Sequence, residues 1–491
     1  MKGKNIVLFI AESWDGRKLG LTGHPALRDA TPNIDRLAAN GACFERAHTS
    51  HPICCPARAN LWSGRYSHQI ESWNNFKGLQ PGMWTLFDTV KTTHTIKSLG
   101  KLDYLSGGHS IFARVGAWLA PVGLPRTTHG HLPDIQNPVV TPDRERRCHE
   151  KDWRILDKAR AFIREQAKGE APFFLNISTG LVHPGFRTNQ YWLDKIPAEA
   201  VDLPPPDPTD HPVRRYQRMS KGWQHTDDPE RTRLLRRIYY AMCAEADALV
   251  GELQTTLREA GLLENTYFIF ASDHGELAGD HGEWQKHSMY DASLRIPLII
   301  NGPGIPAGRR VDNITSLIDL HPTLLAMAGH EPRPGTVGES LLPLASGRTE
   351  VSRNHAYACF TGITMNTSAF MLRRDRWKYV VYPGFPAQLF DMEQDPDELH
   401  DCAADQPAIV AQLDSELRKI VDIEETHEKL VAYDKAAFRE WRRQAKLGCY
   451  RDDTYSLAKQ PSSDYWDIMR NIFENYDKSD EVRVNTWLNA P

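Results

Sequence analysis

Long apolar runs are missing from this 491-residue sequence. No stretch approaches the ~20 consecutive apolar residues that a membrane-spanning helix needs. The one leader-like feature is the basic start Met1-Lys2-Gly3-Lys4 before the apolar run Ile6–Ala11. It is too short for the core of a signal peptide and runs into Glu12 and Asp15 without a small-residue cleavage site. The expectation is therefore a cytoplasmic protein, or a periplasmic or secreted one if a leader has been removed. An excess of one charge is missing too. Lys and Arg number 59 against 63 Asp and Glu, a net charge of −4, which lacks the overall basic footprint of a nucleic-acid binder. Cysteine is scarce: eight residues, with no CxxC pair, make neither a disulfide scaffold nor a zinc motif. Internal repeats and low-complexity segments are absent. Oligomeric state is left open.

What remains is 41% apolar and 25% charged, the balance of a globular chain with a large core. At roughly 100–200 residues per domain, two to four units are allowed. Asn5–Ala11 reads as a buried strand ending in acidic residues. Asp152–Ala167 has a helical apolar face in Ile155, Ala159, Phe162 and Ile163, followed by a strand at Ala171–Ser178. Leu234–Ala260 reads as a long helix stopped by Gly261, and Tyr267–Phe270 as a strand running into Ser272-Asp273-His274-Gly275. Strands alternating with helices predict an α/β protein with a mostly parallel sheet covered on both faces. Ligands of such sheets sit outside the carboxyl ends of the strands, where both acidic clusters lie. After about Ser346 the pattern changes to β-rich segments such as Trp377–Tyr382 between Gly and Pro turns. The expected division is a catalytic domain over 1–346 and, over 347–491, a smaller unit with an antiparallel sheet and a helical tail. The Pro-rich Leu203–Pro212 reads as a loop over the first domain.

Residues 51–65 read His-Pro-Ile-Cys-Cys-Pro-Ala-Arg-Ala-Asn-Leu-Trp-Ser-Gly-Arg. The spacing Cys54-x-Pro56-x-Arg58, with Ser63-Gly64-Arg65, strongly resembles the motif of the type I, formylglycine-dependent sulfatases. Other segments resemble that family in order: Gly100-Lys101, Val182-His183-Pro184, Ser272-Asp273-His274-Gly275-Glu276, Trp284-Gln285-Lys286 with Tyr290 and Arg295-Ile296-Pro297-Leu298, then Leu317-Ile318-Asp319 and Leu389-Phe390-Asp391. The string Glu-Ser-Trp-Asn-Asn-Phe-Lys-Gly-Leu (71–79) is more particular. With Pro-Ile-Cys-Cys-Pro and Tyr-Tyr-Ala-Met-Cys-Ala-Glu (239–245), it resembles the branch that removes the 2-sulfate of glucuronate.

The resemblance implies an alkaline-phosphatase-like fold and hydrolysis of a sulfate monoester, on a sulfated sugar of the 2-O-sulfated uronate type. It also implies a modifying enzyme that oxidises Cys54 to formylglycine. One hydroxyl of the formylglycine hydrate attacks sulfur; deprotonating the other expels sulfate. Glu12, residue 54, Asp273 and His274 are the implied ligands of Ca²⁺, with Mg²⁺ or another divalent ion as alternatives. Arg58 holds the hydrate, Lys101 and Lys286 bind sulfate oxygens, and His183 protonates the leaving oxygen. His211 resembles a substrate-contacting histidine. No nucleic-acid or membrane partner is implied.

Three departures stand out. The family's Asp-Asp after the first strand is Glu12-Ser13, so either the backbone retreats or Asp15 completes the shell. The histidine expected two residues after Lys101 is Asp103, with His109 one substitute for its role. The acidic pair ends in His274 rather than Asn, and imidazole is a less usual Ca²⁺ ligand. Two other readings stay open: a phosphonate monoester or phosphodiester hydrolase using the same nucleophile, and a non-catalytic carbohydrate-binding relic with Cys54 as a plain buried thiol.

Overall fold

A computed structural model describes residues 3–106, 138–223, 228–348, 353–360, 362, 365–447, 464–467 and 477–490. Its central sheet has seven strands: β1 (Asn5–Ala11), β2 (Ala42–His48), β3 (Thr95–Gly100), β5 (Phe173–Ser178), β7 (Thr266–Ser272), β8 (Leu298–Asn301) and β9 (Arg309–Ser316). They lie in the order β3-β5-β1-β7-β8-β2-β9. Only β8 runs against its neighbours, so the sheet is mixed and mostly parallel, as the alternation of strands and helices predicts. A short parallel pair, β4 (Val139–Thr141) and β6 (Arg187–Asn189), lies apart.

Sequence decides the two-sided burial directly. Along β1 the side chains of Val7, Phe9 and Ala11 enter one apolar cluster, and those of Ile6, Leu8 and Ile10 enter another. Successive strand residues point to opposite faces, so a continuous apolar run needs two cores. The first core is closed by α1 (Pro32–Ala39), α3 (Glu150–Gln166) and α5 (Pro229–Glu259). The second is closed by α2 (Cys54–Ser63) and α6 (Leu320–Met327). Helix α5 starts five residues before the apolar periodicity suggests. Its Asp228 side chain accepts from the N–H groups of Glu230 and Arg231, and Pro229 sits at its first turn, where a missing N–H costs nothing. It buries Leu235, Ile238, Met242, Leu249, Leu253 and Leu257. At about 1.5–3 kcal/mol for each large apolar side chain buried, this one face outweighs any propensity term in the helix.

A second sheet is antiparallel, in the order β10 (His355–Phe360), β11 (Ala369–Arg374), β12 (Trp377–Val381) and β13 (Gln388–Asp391). It does not stand free. Phe360, Met371 and Val380 share a cluster with Ile53 and Trp73, and Leu430 of α7 (Ile423–Lys446) joins them. Lys378 of β12 is fully buried; its Nζ donates to Glu398 Oε1 at 2.7 Å and pairs with Asp291. The Pro-rich segment is a loop up to His211, where α4 (Pro212–Lys221) begins. Among the described residues no helix is long and apolar enough to cross a membrane.

Candidate active site

Four parallel strands end on one edge of the sheet, and each delivers chemistry at or just past its last residue. β1 leads into Glu12, β3 into Lys101 and β7 into Asp273-His274, while β5 ends at Ser178. β2 leads through residues 49–53 to Cys54, the first residue of α2. Glu12, Cys54, Asp273 and His274 are all buried, with one ligand atom each within 4.8 Å of the others. Cys54 Sγ lies 3.0 Å from Glu12 Oε1 and 3.3 Å from His274 Nε2. His274 Nδ1 donates to the Gly275 carbonyl at 3.0 Å, which leaves the Nε2 lone pair facing the cluster.

Cations surround these groups. Arg58 grips Asp273 Oδ2 through Nε at 3.0 Å and Nη2 at 2.8 Å, while Nη1 donates to the Lys101 carbonyl at 2.7 Å and to Ser178 Oγ. Asp273 Oδ1 accepts the N–H groups of Ser13 and His274. Lys101 pairs with Glu12 and, at 3.6 Å, with Asp103. Burial alone would raise the Glu12 carboxyl, but Lys101, His183, Lys286 and Arg58 outweigh it and hold the group well below its ordinary range. Burial likewise opposes ionisation of Asp273, and charge from His274 and Arg58 lowers it nonetheless. Burial pushes the Cys54 thiol up to about 12.

Lys286 Nζ donates to His183 Nε2 at 2.7 Å, and His183 Nδ1 donates to the Pro184 carbonyl at 2.8 Å. Burial and the Lys286 ammonium push this imidazole down, so the resting ring is neutral rather than the imidazolium that the sequence suggests. Its side chain is a third exposed, the most open of the group. The loop that presents Lys286 is fixed by Glu276, whose Oε1 accepts the N–H groups of Ala278 at 3.2 Å and Gln285 at 2.5 Å.

Seven of the sequence-derived residues, Glu12, Cys54, Arg58, Lys101, His183, Asp273 and His274, thus meet in one linked set, and Lys286 joins through His183. His211 is engaged elsewhere: it caps α4 by accepting the Val213 N–H at 3.3 Å, and Nε2 donates to the Pro386 carbonyl at 2.9 Å. Asp15 is held by Arg17 through Nε and Nη2 and stands outside the candidate ligand group, in which Glu12 is the first-strand carboxylate. His109 lies outside the described residues. Sequence reasoning missed Ser178 and Glu276 as supports of Arg58 and Lys286. A polar last residue on a buried strand was the available signal for Ser178.

A second set, Cys148, His149 and Glu245, also falls within metal-binding range. Glu245 is already saturated: Oε1 accepts from the N–H groups of Cys148 and His149 and from Trp153 Nε1, and Oε2 from His149 Nδ1. It clasps the start of α3 to α5. The seven described cysteines are all free thiols.

The family model described as Sulfatase matches residues 4–330, and one described as N-sulphoglucosamine sulphohydrolase, C-terminal, matches residues 279–423. Arylsulfatase K of Homo sapiens is 38% identical over 472 residues, which cover 90% of this chain and 86% of the human one. Arylsulfatase K of Canis lupus familiaris is 36% identical over 519 residues, 99% of this chain and 93% of the canine one. Among solved structures, the phosphonate monoester hydrolase of Agrobacterium radiobacter matches with a TM-score of 0.68 and 25% identity, over 85% of this chain and 95% of that one. The shared architecture is the alkaline-phosphatase-like sheet flanked by helices.

Proposed function

The chain belongs to the sulfatase family and is a sulfuric ester hydrolase, a premise from which we propose that its nucleophile is a formylglycine made from Cys54 and its substrate a 2-O-sulfated uronate. The observation that carries the first half is the setting of Cys54. Burial pushes its thiol up to about 12, and two carboxylates, two lysines and an arginine converge around it. Formylglycine there would supply a hydrated aldehyde, an oxygen nucleophile where the thiol has none.

The donor set fits a hard divalent cation. Glu12 and Asp273 contribute buried carboxylates, and His274 turns a lone pair inward. We assign Ca²⁺, with Mg²⁺ the competing ion; elemental analysis of the active protein decides. When bound, the cation would neutralise charge on the sulfonate oxygens. The chain's own residues do the rest. Arg58 fixes the Asp273 carboxylate and, through the Lys101 carbonyl, the start of the segment carrying the Lys101 ammonium. Lys101 and Lys286 act as point charges for sulfate oxygens. His183 keeps Nδ1–H on the Pro184 carbonyl, so Nε2 is the ring nitrogen placed to take up a proton and pass it to the leaving oxygen, while Lys286 keeps its charge beside it.

The uronate half rests on the 71–79 string and on the arylsulfatase K relatives. Mass spectrometry of the peptide spanning Cys54, with turnover of a panel of sulfated monosaccharides on the same sample, tests both halves. Aldehyde mass with preference for uronate-2-sulfate is expected. Thiol mass in an active sample removes the nucleophile, and equal rates across the panel remove the substrate. The structural likeness to a phosphonate monoester hydrolase favours a second reading, with a phosphonate monoester or phosphodiester as the ester cleaved. A higher kcat/KM on an aryl phosphonate than on an aryl sulfate would select it. Cys54→Ala separates both from a binding relic, which alone would keep its function in that variant. A formylglycine-generating enzyme of the host is the implied partner.

A further inference from the structure

The first turn of α2 is poorly tied down by its own sequence. Its N-cap, Ile53, has no side-chain oxygen to offer, and the Ile53 N–H turns back to the His51 carbonyl at 2.8 Å. Pro56 brings no N–H at all. The Cys55 N–H is met by a side chain from outside the helix: Asn75 Oδ1, 20 residues on, accepts it at 3.1 Å. The loop that delivers Asn75 is itself rigidly folded. Asn74 Oδ1 accepts the N–H groups of Phe76 and Lys77, both at 2.9 Å, and the Trp73 N–H donates to the Lys77 carbonyl at 3.1 Å. Trp73 is buried against Phe360 and Met365. A Cβ at Gly78 would run into the Tyr104 carbonyl and the Cys55 sulfur, so the loop lies flush on the helix start.

We propose that Asn75 is a positioning residue for the group at position 54. It does not touch the reacting atoms. Its acceptor holds the peptide of the next residue and so sets the direction in which residue 54 projects toward Glu12 and His274. The string 71–79 then has a task in the reaction: a remote N-cap for the nucleophile's helix, supplied by a loop anchored in the second sheet. This role rests on the reading of Cys54 as the nucleophile.

The test compares Asn75→Ala, Asn75→Asp and Asn75→Gln in the full chain, with kcat expressed per aldehyde counted by mass spectrometry. Misplacement of a reacting group by about 1 Å costs on the order of 100-fold, so Asn75→Ala should lower kcat roughly 10–100-fold with KM within about twofold. Asn75→Asp keeps an oxygen for the Cys55 N–H and should hold kcat within about threefold, while its charge raises KM for an anionic ester. Asn75→Gln sets the same amide one methylene too far out and should lower kcat without unfolding the chain, which keeps the comparison decisive if Asn75→Ala does not fold. A lowered melting temperature with unchanged kcat per aldehyde in Asn75→Ala and Asn75→Gln overturns the role and leaves the nucleophile standing. Absence of aldehyde from active wild-type protein overturns both.

Discussion

Arg58 shows how much one side chain is asked to do. Its fork spans the Asp273 carboxylate, the Lys101 carbonyl and Ser178 Oγ, tying together what β7, β3 and β5 deliver to the site. Lysine has the charge but neither the planar fork nor the reach for all three acceptors. Arg58→Lys should therefore lower kcat at least about 100-fold and cost roughly 3 kcal/mol of stability, the scale for disturbing a buried ion pair. Turnover and urea denaturation of the same preparation check both. Arg58, Lys101 and Asp273 were legible in the sequence because each falls in a short motif with fixed spacing. The resting state of His183 was not. It depends on Pro184 and on Lys286, 103 residues away, and no local pattern reports that such an ammonium faces the ring. Asp15 stayed open in the sequence as a further ligand; in the structure its carboxylate is engaged by Arg17.

At the scale of elements, the start of α3 rests on the His149–Glu245 contact. Burial works against the imidazolium, but hydrogen bonds to Cys148 and Glu245 and the Glu245 charge prevail and push His149 up to about 10. A pKa raised on folding means that the protonated form stabilises the fold. That contribution is complete below about pH 6.5, the ordinary value, and fades as pH rises toward 10. Wild-type protein should therefore lose stability between pH 6.5 and 10, and His149→Gln should show a flatter profile over that window. Urea midpoints at pH 6 and pH 9.5 give the comparison; parallel profiles would count against the clasp. Three of the strands that build the site, β1, β5 and β7, were readable from apolar runs to within two residues, whereas β2 and the half-polar β3 were not read as strands at all. The start of α5 was missed because an Asp-Pro cap, rather than periodicity, begins that helix. Gly100 marks the same logic in backbone form. At φ +90°, with the Ser178 carbonyl where a Cβ would sit, it lets β3 end against β5 and turn Lys101 inward.

Across the whole molecule, the second sheet is coupled to the first body by buried charge as well as by apolar contact. Lys378 sits among Asp291, Glu398 and the Met289 carbonyl with no exposure to solvent. Replacing it with methionine strands two buried carboxylates, so Lys378→Met should cost about 3–5 kcal/mol. Thermal unfolding is the readout, and a change below about 1 kcal/mol would mean that the carboxylates simply take up protons. The change of texture near Ser346 foretold an antiparallel sheet. It could not foretell that Phe360 and Trp73 would share a core, because contacts between distant segments leave no periodic trace.

The burial of Cys54 finally imposes an order of events. Residue 54 is 1% exposed at the start of a helix packed where β1, β3, β5 and β7 end. These strands are drawn from residues 5–272 of the chain, so their assembly waits on distant pairing. The modifying enzyme proposed above would therefore have to reach this side chain before the segment around 51–65 is buried. On the proposed formylglycine chemistry, a chain that folds unmodified is a stable, silent copy. That proposal makes the active fraction of a preparation a record of a race run before the fold existed, and exposing the folded protein to the modifying enzyme should not raise it.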